Sequence, residues 1–391
     1  MSVWPSMRLD ECCEIIAGAT PSTSESTFWG GDVCWATPKD LSNLDGTFIS
    51  DTPRKLTAAG LQSCAASVLP AHSVLFSSRA PIGHVAINTV PMATNQGFKS
   101  FIPKAGRIVS EFLYWWLRYN RAYLESLGNG ATFKEVSKAI VSRVEIALPP
   151  LEEQRRIAAI LDQAETVRCQ RRAALAQLDC LTQSIFLDMF GDPVVNMKGL
   201  PVCFLGDLCT RITDGTHQSP KWEVSGIPFL FISNIVDGLI TFDTHKFIST
   251  ETHLELTRRC PIEIGDVLYT TVGSYGNAAI VDTSDRFAFQ RHIAHIKPDV
   301  TKANSIFIAA MIQSIGVRRQ VDKVAKGVAQ KTVNLADLKC LLVFAPPLPL
   351  QQTFATRIQA IESLKTTHRT ALAELDALFA SLQQRAFAGE L

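Results

Sequence analysis

The chain has 391 residues, 47% of them hydrophobic, enough for two or three domains with real cores. That composition excludes a disordered tail. A net charge of +1 argues against a uniformly basic nucleic-acid binder, although local clusters matter more than the sum. No apolar run approaches the ~20 residues needed to cross a bilayer. The start, MSVWPSMRLDECCEII, lacks the charged and apolar regions of a signal peptide. Ten cysteines are scattered without any C-x-x-C spacing, and Cys12 and Cys13 are adjacent. They read as reduced thiols of a cytoplasmic protein, neither a metal site nor a disulfide framework.

In chain order, residues 1–148 begin with short, alternating apolar runs: DVCWATP, SVLFSSR, HVAIN and FKSFIP. Turn residues bound each run, so strands are expected. A helical stretch, SEFLYWWLRYNRAYLESL, follows, then a strand, VEIALPP, ending at Pro149-Pro150. A long helix is expected over 149–191. Residues 192–345 then repeat the order: IPFLFISN, DVLYTTV, NAAIVD and IAHIKP as strands, ANSIFIAAMIQSIGVRRQV as helix, and CLLVFAPP ending at Pro346-Pro347. A second long helix is expected over 346–391.

The repeat is visible residue by residue. PPLEEQRRIAAILDQAE at 149–165 returns as PPLPLQQTFATRIQAIE at 346–362, with Gln154 matching Gln351 and Glu165 matching Glu362. NGATFKEVS at 129–137 matches KGVAQKTVN at 326–334. SVLFSSRAPIGHVAI at 73–87 matches DVLYTTVGSYGNAAI at 266–280, and DLSNLDG at 40–46 resembles FISNIVDG at 231–238. The period is too long for a solenoid, so the chain is a duplicated domain-plus-helix unit.

The runs 151–190 and 348–387 hold no glycine, and each would be roughly 60 Å long as a helix. Proline suits a helix start because its missing N–H needs no partner there. Asp192, Pro193 and Gly389 mark the ends. An apolar stripe runs through Ile157, Leu161, Ala164, Leu175, Leu178, Ile185 and Met189 in the first helix. In the second it runs through Phe354, Ile358, Ile361, Leu372, Leu375, Phe379, Leu382 and Ala386. Three-and-four spacing of this kind is a coiled-coil seam. Arg168 and Arg171 interrupt the first stripe, and Lys365 and His368 the second. An antiparallel pairing would bring these breaks together. They then either pair with neighbours such as Glu165 and Glu362 while fixing register, or face phosphates.

Several chemistries lack their motifs. There is no G-x-x-x-x-G-K-[ST] loop, no G-x-G-x-x-G and no G-x-S-x-G elbow. Nor is there an Asn/Asp-Pro-Pro-aromatic motif for holding a flipped base. Gly273-Ser274-Tyr275-Gly276 is too short for a phosphate cradle and reads as a hairpin turn. On a strand, His292 and His295 fall on opposite faces, which disfavours a shared metal. No catalytic residues and no metal ligands are expected.

The duplicated unit, P-P-L-x-E-Q-x-x-I-A-x-I-L-D at 149–162, N-Q-G-F-K-S-F-I-P at 95–103 and L-x-x-S-L-x-x-R-A-F-x-G-E-L at 378–391 together resemble the specificity subunit of Type I restriction-modification enzymes. The resemblance spans the chain and implies an α+β fold. Two similar mixed α/β target recognition domains, 1–148 and 192–345, would be separated by two long antiparallel coiled-coil helices in a pseudo-twofold repeat. It implies a non-catalytic subunit that reads a bipartite double-stranded DNA site, one half per domain. Two methyltransferase subunits, and restriction or translocase subunits, would be partners. S-adenosylmethionine, ATP and Mg²⁺ would belong to those partners, with no cofactor in this chain. Two readers on a rod fit a duplex only at set spacings, because a helical turn is about 34 Å. The second helix starts on Pro349-Leu350-Gln351-Gln352 where the first has Glu152-Glu153-Gln154-Arg155, so the two partner contacts are not expected to be equal. The contrasting reading is a coiled-coil scaffold with two protein-binding domains and no DNA role.

Base edges are read by Arg, Lys, Asn and Gln, and phosphates by Lys, Arg, Ser and Thr. The candidates in the first unit are Ser78 and Arg79 (with Ser77), then Asn95, Gln96 and Lys99, then Asn129, Thr132 and Lys134. In the second unit they are Thr271, Ser274, Tyr275 and Asn277 (with Thr270), then Gln290 and Arg291 (with His292), then Lys326, Gln330 and Lys331. The last group extends a basic run through Arg318, Arg319 and Lys323, with Asp322 the acidic residue among them. Asn and Gln at these places can also cap turns.

Overall fold

The structure is a computed structural model that describes residues 4–79, 81–130, 134–192, 195–327 and 330–391. Packing divides the chain into two compact units, Met1–Arg171 with Ala371–Leu391, and Arg172–Thr370. Both divisions fall inside a long helix. The first long helix is Leu151–Phe190 and the second is Leu348–Ala388. Gly191 and Gly389, both with φ near 80°, end them in the left-handed conformation that glycine adopts without a Cβ clash. Gly191 was not among the expected end markers, and Pro193 lies outside the described residues.

In the first unit a five-stranded sheet has the order Cys13–Ala17, Lys99–Pro103, Val74–Phe76, Val85–Asn88 and Phe48–Ile49. A three-stranded sheet has the order Lys55–Leu56, Trp29–Ala36 and Met92–Thr94, its strands interleaved in sequence with those of the first. The second unit has a four-stranded sheet, Cys209–Asp214, Ile293–Pro298, Val267–Thr270 and Ala278–Ile280. Its three-stranded sheet is Phe247–Ile248, Ile227–Leu230 and Ala288–Phe289. Each smaller sheet joins one parallel to one antiparallel pair in the same order. The expected strands are therefore present at their expected places, and Gly273–Gly276 turns the hairpin between Val267–Thr270 and Ala278–Ile280.

Both expected helical stretches are broken into two. Ser110–Tyr119 and Arg121–Ser126 form the first pair, and Ser305–Gln313 and Ile315–Val324 the second. The strand before each double proline pairs antiparallel with a short strand at the start of its repeat. Glu145–Ala147 pairs with Ser6–Arg8, and Leu342–Phe344 with Val202–Phe204.

One side chain explains the glutamine at both helix starts. Buried Gln154 accepts from Val109 N at 2.9 Å and donates to the carbonyls of Arg107 and Pro149 at 3.0 and 2.9 Å. Buried Gln351 accepts from Asn304 N at 2.9 Å and donates to Lys302 and Pro346 at 3.0 and 2.8 Å. Each amide satisfies three backbone groups where the long helix meets the domain helix, so none is left unpaired.

Within each unit the two helix pieces run antiparallel. In the first unit Arg156 donates to Leu391 O at 2.6 Å, while Arg168 reaches Asp376 at 2.6 Å. In the second, Lys365 reaches Asp179 at 2.8 Å and Phe354 meets Phe186 with ring centroids 5.8 Å apart. Ile157, Leu161, Ile358 and Ile361 are buried, and Leu175, Leu178, Ile185, Leu372, Leu375 and Leu382 are half-buried. Phe186 and Phe190 are the most buried residues at the end of the first helix. The expected stripe passed through their neighbours Ile185 and Met189, a drift inherent in fitting a 3.5-residue repeat to a 3.6-residue helix.

Of the polar breaks, Arg168 and Lys365 are paired with carboxylates, but they turn into the seam where snorkelling would carry them out to solvent. Arg168 is bound to Glu165 and Asp376 and stacks 4.2 Å above Phe379. Lys365 is bound to Asp179 and to Glu362 at 2.7 Å. Burial alone would lower the Lys365 pKa, but these two carboxylates hold it above the ordinary lysine value. Both cations are turned into their seams, with side-chain exposures of 14% and 7%. That leaves little of either for a phosphate.

Candidate nucleic-acid interface

Three loops far apart in sequence meet at one edge in each unit. In the first unit Arg79 bridges Glu135, Asn129 bridges Glu135, and Ser77 bridges Phe98. Ser78 N donates to Gly97 O and Val136 N to Ser78 O. In the second unit Val272 bridges Thr332 and Lys326 bridges Thr332. Thr271 N donates to His292 O, Val333 N to Thr271 O, and Gly273 N to Lys331 O. The described residues of the loops singled out, 77–79, 95–99, 129–130 and 134 in the first unit and 270–277, 290–292, 326–327 and 330–331 in the second, are thus stitched into two matching surfaces.

The edge is held from behind by residues also proposed to touch DNA. Ser78, Lys99, Thr271 and Tyr275 are buried, so they are corrected here to supports of the edge. Ser78 Oγ donates to Gly97 O, and Lys99 Nζ pairs with Glu135 at 3.2 Å. Thr271 Oγ1 donates to His292 O at 3.0 Å, and Tyr275 OH to Asp322 at 2.8 Å. A side chain buried behind the edge is kept from a base by the residues that cover it. Ser77, which bridges Phe98, and Thr270, the last residue of its strand, are buried too. Thr132 lies outside the described residues.

The remaining candidates face outward. Arg79, Gln96, Asn129 and Lys134 are exposed in the first unit, and Ser274, Arg291, Lys326, Gln330 and Lys331 in the second. Asn95, Asn277 and Gln290 are half-buried. Asn95 Oδ1 accepts from Gly97 N at 2.9 Å, the turn-capping role. Gln96 accepts from Thr20, and Asn277 Nδ2 donates to Ser274 O at 3.4 Å. Arg318 leaves the basic cluster. It ion-pairs with Asp322 at 3.3 Å, donates to Tyr275 O at 2.6 Å and covers the Tyr275 ring, locking the hairpin. Arg319 and Lys323 stay exposed with Lys326 and Lys331.

A cleft beside the second edge was missed by sequence reading. It has a volume of about 450 Å³, and Arg211, Asp214, His217, Arg258 and Arg259 line it with Cys260 and His295. The bridge from Thr216 to Gln290 joins it to the edge. The adjacent arginines 258 and 259 were the available signal. Inside it, Cys260 Sγ lies 3.4 Å from His295 Nδ1, and His295 Nε2 lies 2.6 Å from Asp266. The order is that of a nucleophile, a base and an orienting acid. Burial pushes the Cys260 thiol up, which favours the unreactive form, and Asp266 is shared with Lys297 at 2.8 Å. This arrangement therefore buttresses the sheet rather than activating sulfur.

Among the described residues, no group of three or more His, Cys, Asp or Glu is placed to hold a metal, and no helix is long and apolar enough to cross a membrane. What the fold presents is a duplicated α/β domain with one loop-built polar edge per copy, the form of a two-domain recognition protein.

The chain belongs to the Type I restriction modification DNA specificity domain family, whose profile matches residues 1–175 and 197–377. It is similar to the Type I restriction enzyme MjaIX specificity subunit of Methanocaldococcus jannaschii, with 28% identity over 378 residues, 92% of this chain and 86% of that one. It is 25% identical over 304 residues to the EcoBI specificity subunit of Escherichia coli, covering 67% of this chain and 62% of that one. Two solved structures share the fold. One is a chain from a type I R-M system assembly, with TM-score 0.58 and 20% identity, covering 99% of this chain and 98% of that one. The other is the S subunit from M. genitalium, with TM-score 0.58 and 11% identity, covering 99% of this chain and 96% of that one.

Proposed function

We propose that this chain is the sequence-reading subunit of a Type I restriction-modification complex, recognising a bipartite DNA site with one half per domain. The observation that carries this reading is the pair of matching loop edges, which share a lysine (Lys134 and Lys331) but differ in their other exposed side chains. One backbone frame presents Arg79, Gln96, Asn129 and Lys134 in the first copy, and Ser274, Arg291, Lys326 and Lys331 in the second. Equal frames with different donors and acceptors read different half-sites. Two modest readers in one chain also bind more tightly than either alone through effective concentration.

The recognition domains are assigned to 1–148 and 192–345. The helices 149–191 and 346–391 dock two methyltransferase subunits, with restriction or translocase subunits joining them. This chain supplies no catalytic residues and no cofactor. S-adenosylmethionine, ATP and Mg²⁺ serve the partners, and the complex works in the cytoplasm.

Methylation-aware sequencing of host DNA tests the reading. A split motif that loses adenine methylation on deletion of this gene, and regains it on complementation, is the expected result. Methylation unaltered by the deletion defeats it, as would the DNA-free scaffold alternative.

A further inference from the structure

The loops of the first edge carry one acidic side chain, Glu135, and the second edge has none at the equivalent place. Shared hydrogen bonds set the equivalence. Ser78 N donates to Gly97 O and Thr271 N to His292 O, while Val136 N donates to Ser78 O and Val333 N to Thr271 O. Counted from these, Glu135 corresponds to Thr332, and Lys99 behind it corresponds to Ala294.

Glu135 is fixed through both backbone and side chain. Its N–H donates to Asn129 O at 2.9 Å, its carbonyl accepts from Asn129 N at 3.0 Å, and it bridges to Arg79 across the edge. Lys99 Nζ reaches Oε1 at 3.2 Å from behind and lies 3.5 Å from Ser78 Oγ. The lysine side chain is 8% exposed and the glutamate side chain 39%, so the pair is buried at its cation and open at its carboxylate. Its neighbours along the edge, Arg79, Asn129 and Lys134, are exposed.

A carboxylate on a phosphate-facing surface is repelled by the DNA backbone and weakens binding, unless it accepts a hydrogen bond from a base. Burying an ammonium is itself unfavourable, so Lys99 is a costly way to hold a glutamate that is merely solvated. As a support for base reading both features fit. The cation offsets the repulsion without competing for the outer surface. It also occupies Oε1 alone, and a carboxylate has further acceptor sites on its second oxygen. A locked backbone and a locked side chain are what precise recognition needs.

We infer that Glu135 is a specificity-determining residue of the first domain, accepting a hydrogen bond from the major-groove amino group of a base, N4 of cytosine or N6 of adenine. Lys99 is its positioning residue. The second domain, with Thr332 and Ala294, makes no such contact, so the amino group is read in one half-site only. The inference rests on the proposed function, since it names a contact within that DNA site.

The test uses the full chain in complex with the modification subunits of its own system, titrated with duplexes carrying the methylated motif. Each cytosine and each adenine is replaced in turn by an analogue lacking only its amino group, the two bases forming separate arms. The unaltered complex should lose about five- to tenfold in affinity at one position that depends on Glu135. Glu135→Ala should abolish that one factor and leave the factors at all other positions as they were, the signature of a direct pairing. A response in the cytosine arm assigns N4, and one in the adenine arm N6. Lys99→Met with Glu135→Ala removes both charges and carries the same expectation, so a stranded buried lysine is not mistaken for a lost contact. If Glu135→Ala and the double variant change binding to every duplex by one common factor, or not at all, with every analogue factor retained, the inference is overturned. An unaltered complex with no preference for the motif overturns the proposed function instead.

Discussion

Where the unit of Met1–Arg171 with Ala371–Leu391 has two serines and an isoleucine at three positions of its sheet, the unit of Arg172–Thr370 has titratable side chains at the equivalents. Strand pairing of Val74 with Phe101 and of Val267 with Ile296 sets the correspondence. Ser73, Ser100 and Ile102 in the first sheet occupy the positions of Asp266, His295 and Lys297 in the second. Ser73 donates to Pro70 O at 2.7 Å. Asp266 instead holds His295 at 2.6 Å and Lys297 at 2.8 Å, deep in the sheet. The contrast reverses at the loop edges, where Lys99 and Glu135 of the first unit stand against Ala294 and Thr332 of the second. Duplication preserved the backbone frame and its buried amides, while side chains that do not carry the frame diverged.

The largest expected effect falls on the shared feature. Gln154→Leu and Gln351→Leu each strand three backbone groups, at roughly 1–3 kcal/mol per unsatisfied buried group. Each variant should therefore lose about 3 kcal/mol or more in its own unit, seen by calorimetry as a downward shift of roughly 6–12 °C in one component. Equal losses in the two variants support the pairing of these glutamines. A shift under 2 °C in either breaks the comparison.

The buried carboxylate should separate the units by pH. Burial alone would raise the Asp266 pKa, but His295 and Lys297 outweigh it and hold the group below its usual value. A group with a depressed folded pKa stabilises the protein above its unfolded value, near pH 4, and loses that contribution as pH falls through the folded value. Peptide-resolved hydrogen exchange between pH 5 and pH 3 should show the 267–270 and 293–298 strands opening before those of the first unit. Asp266→Asn should abolish that difference in pH dependence. Simultaneous opening of both sheets would remove the assigned role of the charge.

The smallest effect concerns the exposed edges. Lys326→Ala with Lys331→Ala should reduce the salt slope of DNA binding by about 2 if both contact phosphate. Arg79→Ala with Lys134→Ala should act similarly on the other half-site. Mutating one edge and scanning base substitutions should relax sequence preference in one half only. Relaxation across both halves would break the assignment of one half-site to each domain.

The duplication, the strands before each double proline and the long helices were legible because each is written in local chemistry. Proline fixes the backbone and glycine frees it wherever they occur, and a three-four stripe is a property of one helix alone. The three-loop edges were also traced by their glycines and polar residues, down to the turn at 273–276. Burial was not legible. Ser78, Lys99, Thr271 and Tyr275 look like surface contacts in a polar loop, yet each is covered by a segment at least 19 residues away and committed to it. Arg318 reads as one more charge in a basic run until its contact with Tyr275 is seen.

What the sequence alone determined is therefore the repeated frame: its elements, their order, and the seams that join them, all set by residues acting on their own stretch of backbone. Tertiary structure decided which polar groups face solvent, where the two units divide inside the long helices, and that a buried lysine backs the carboxylate of one edge. Those outcomes depend on which distant side chains meet, as Lys99 and Glu135 do.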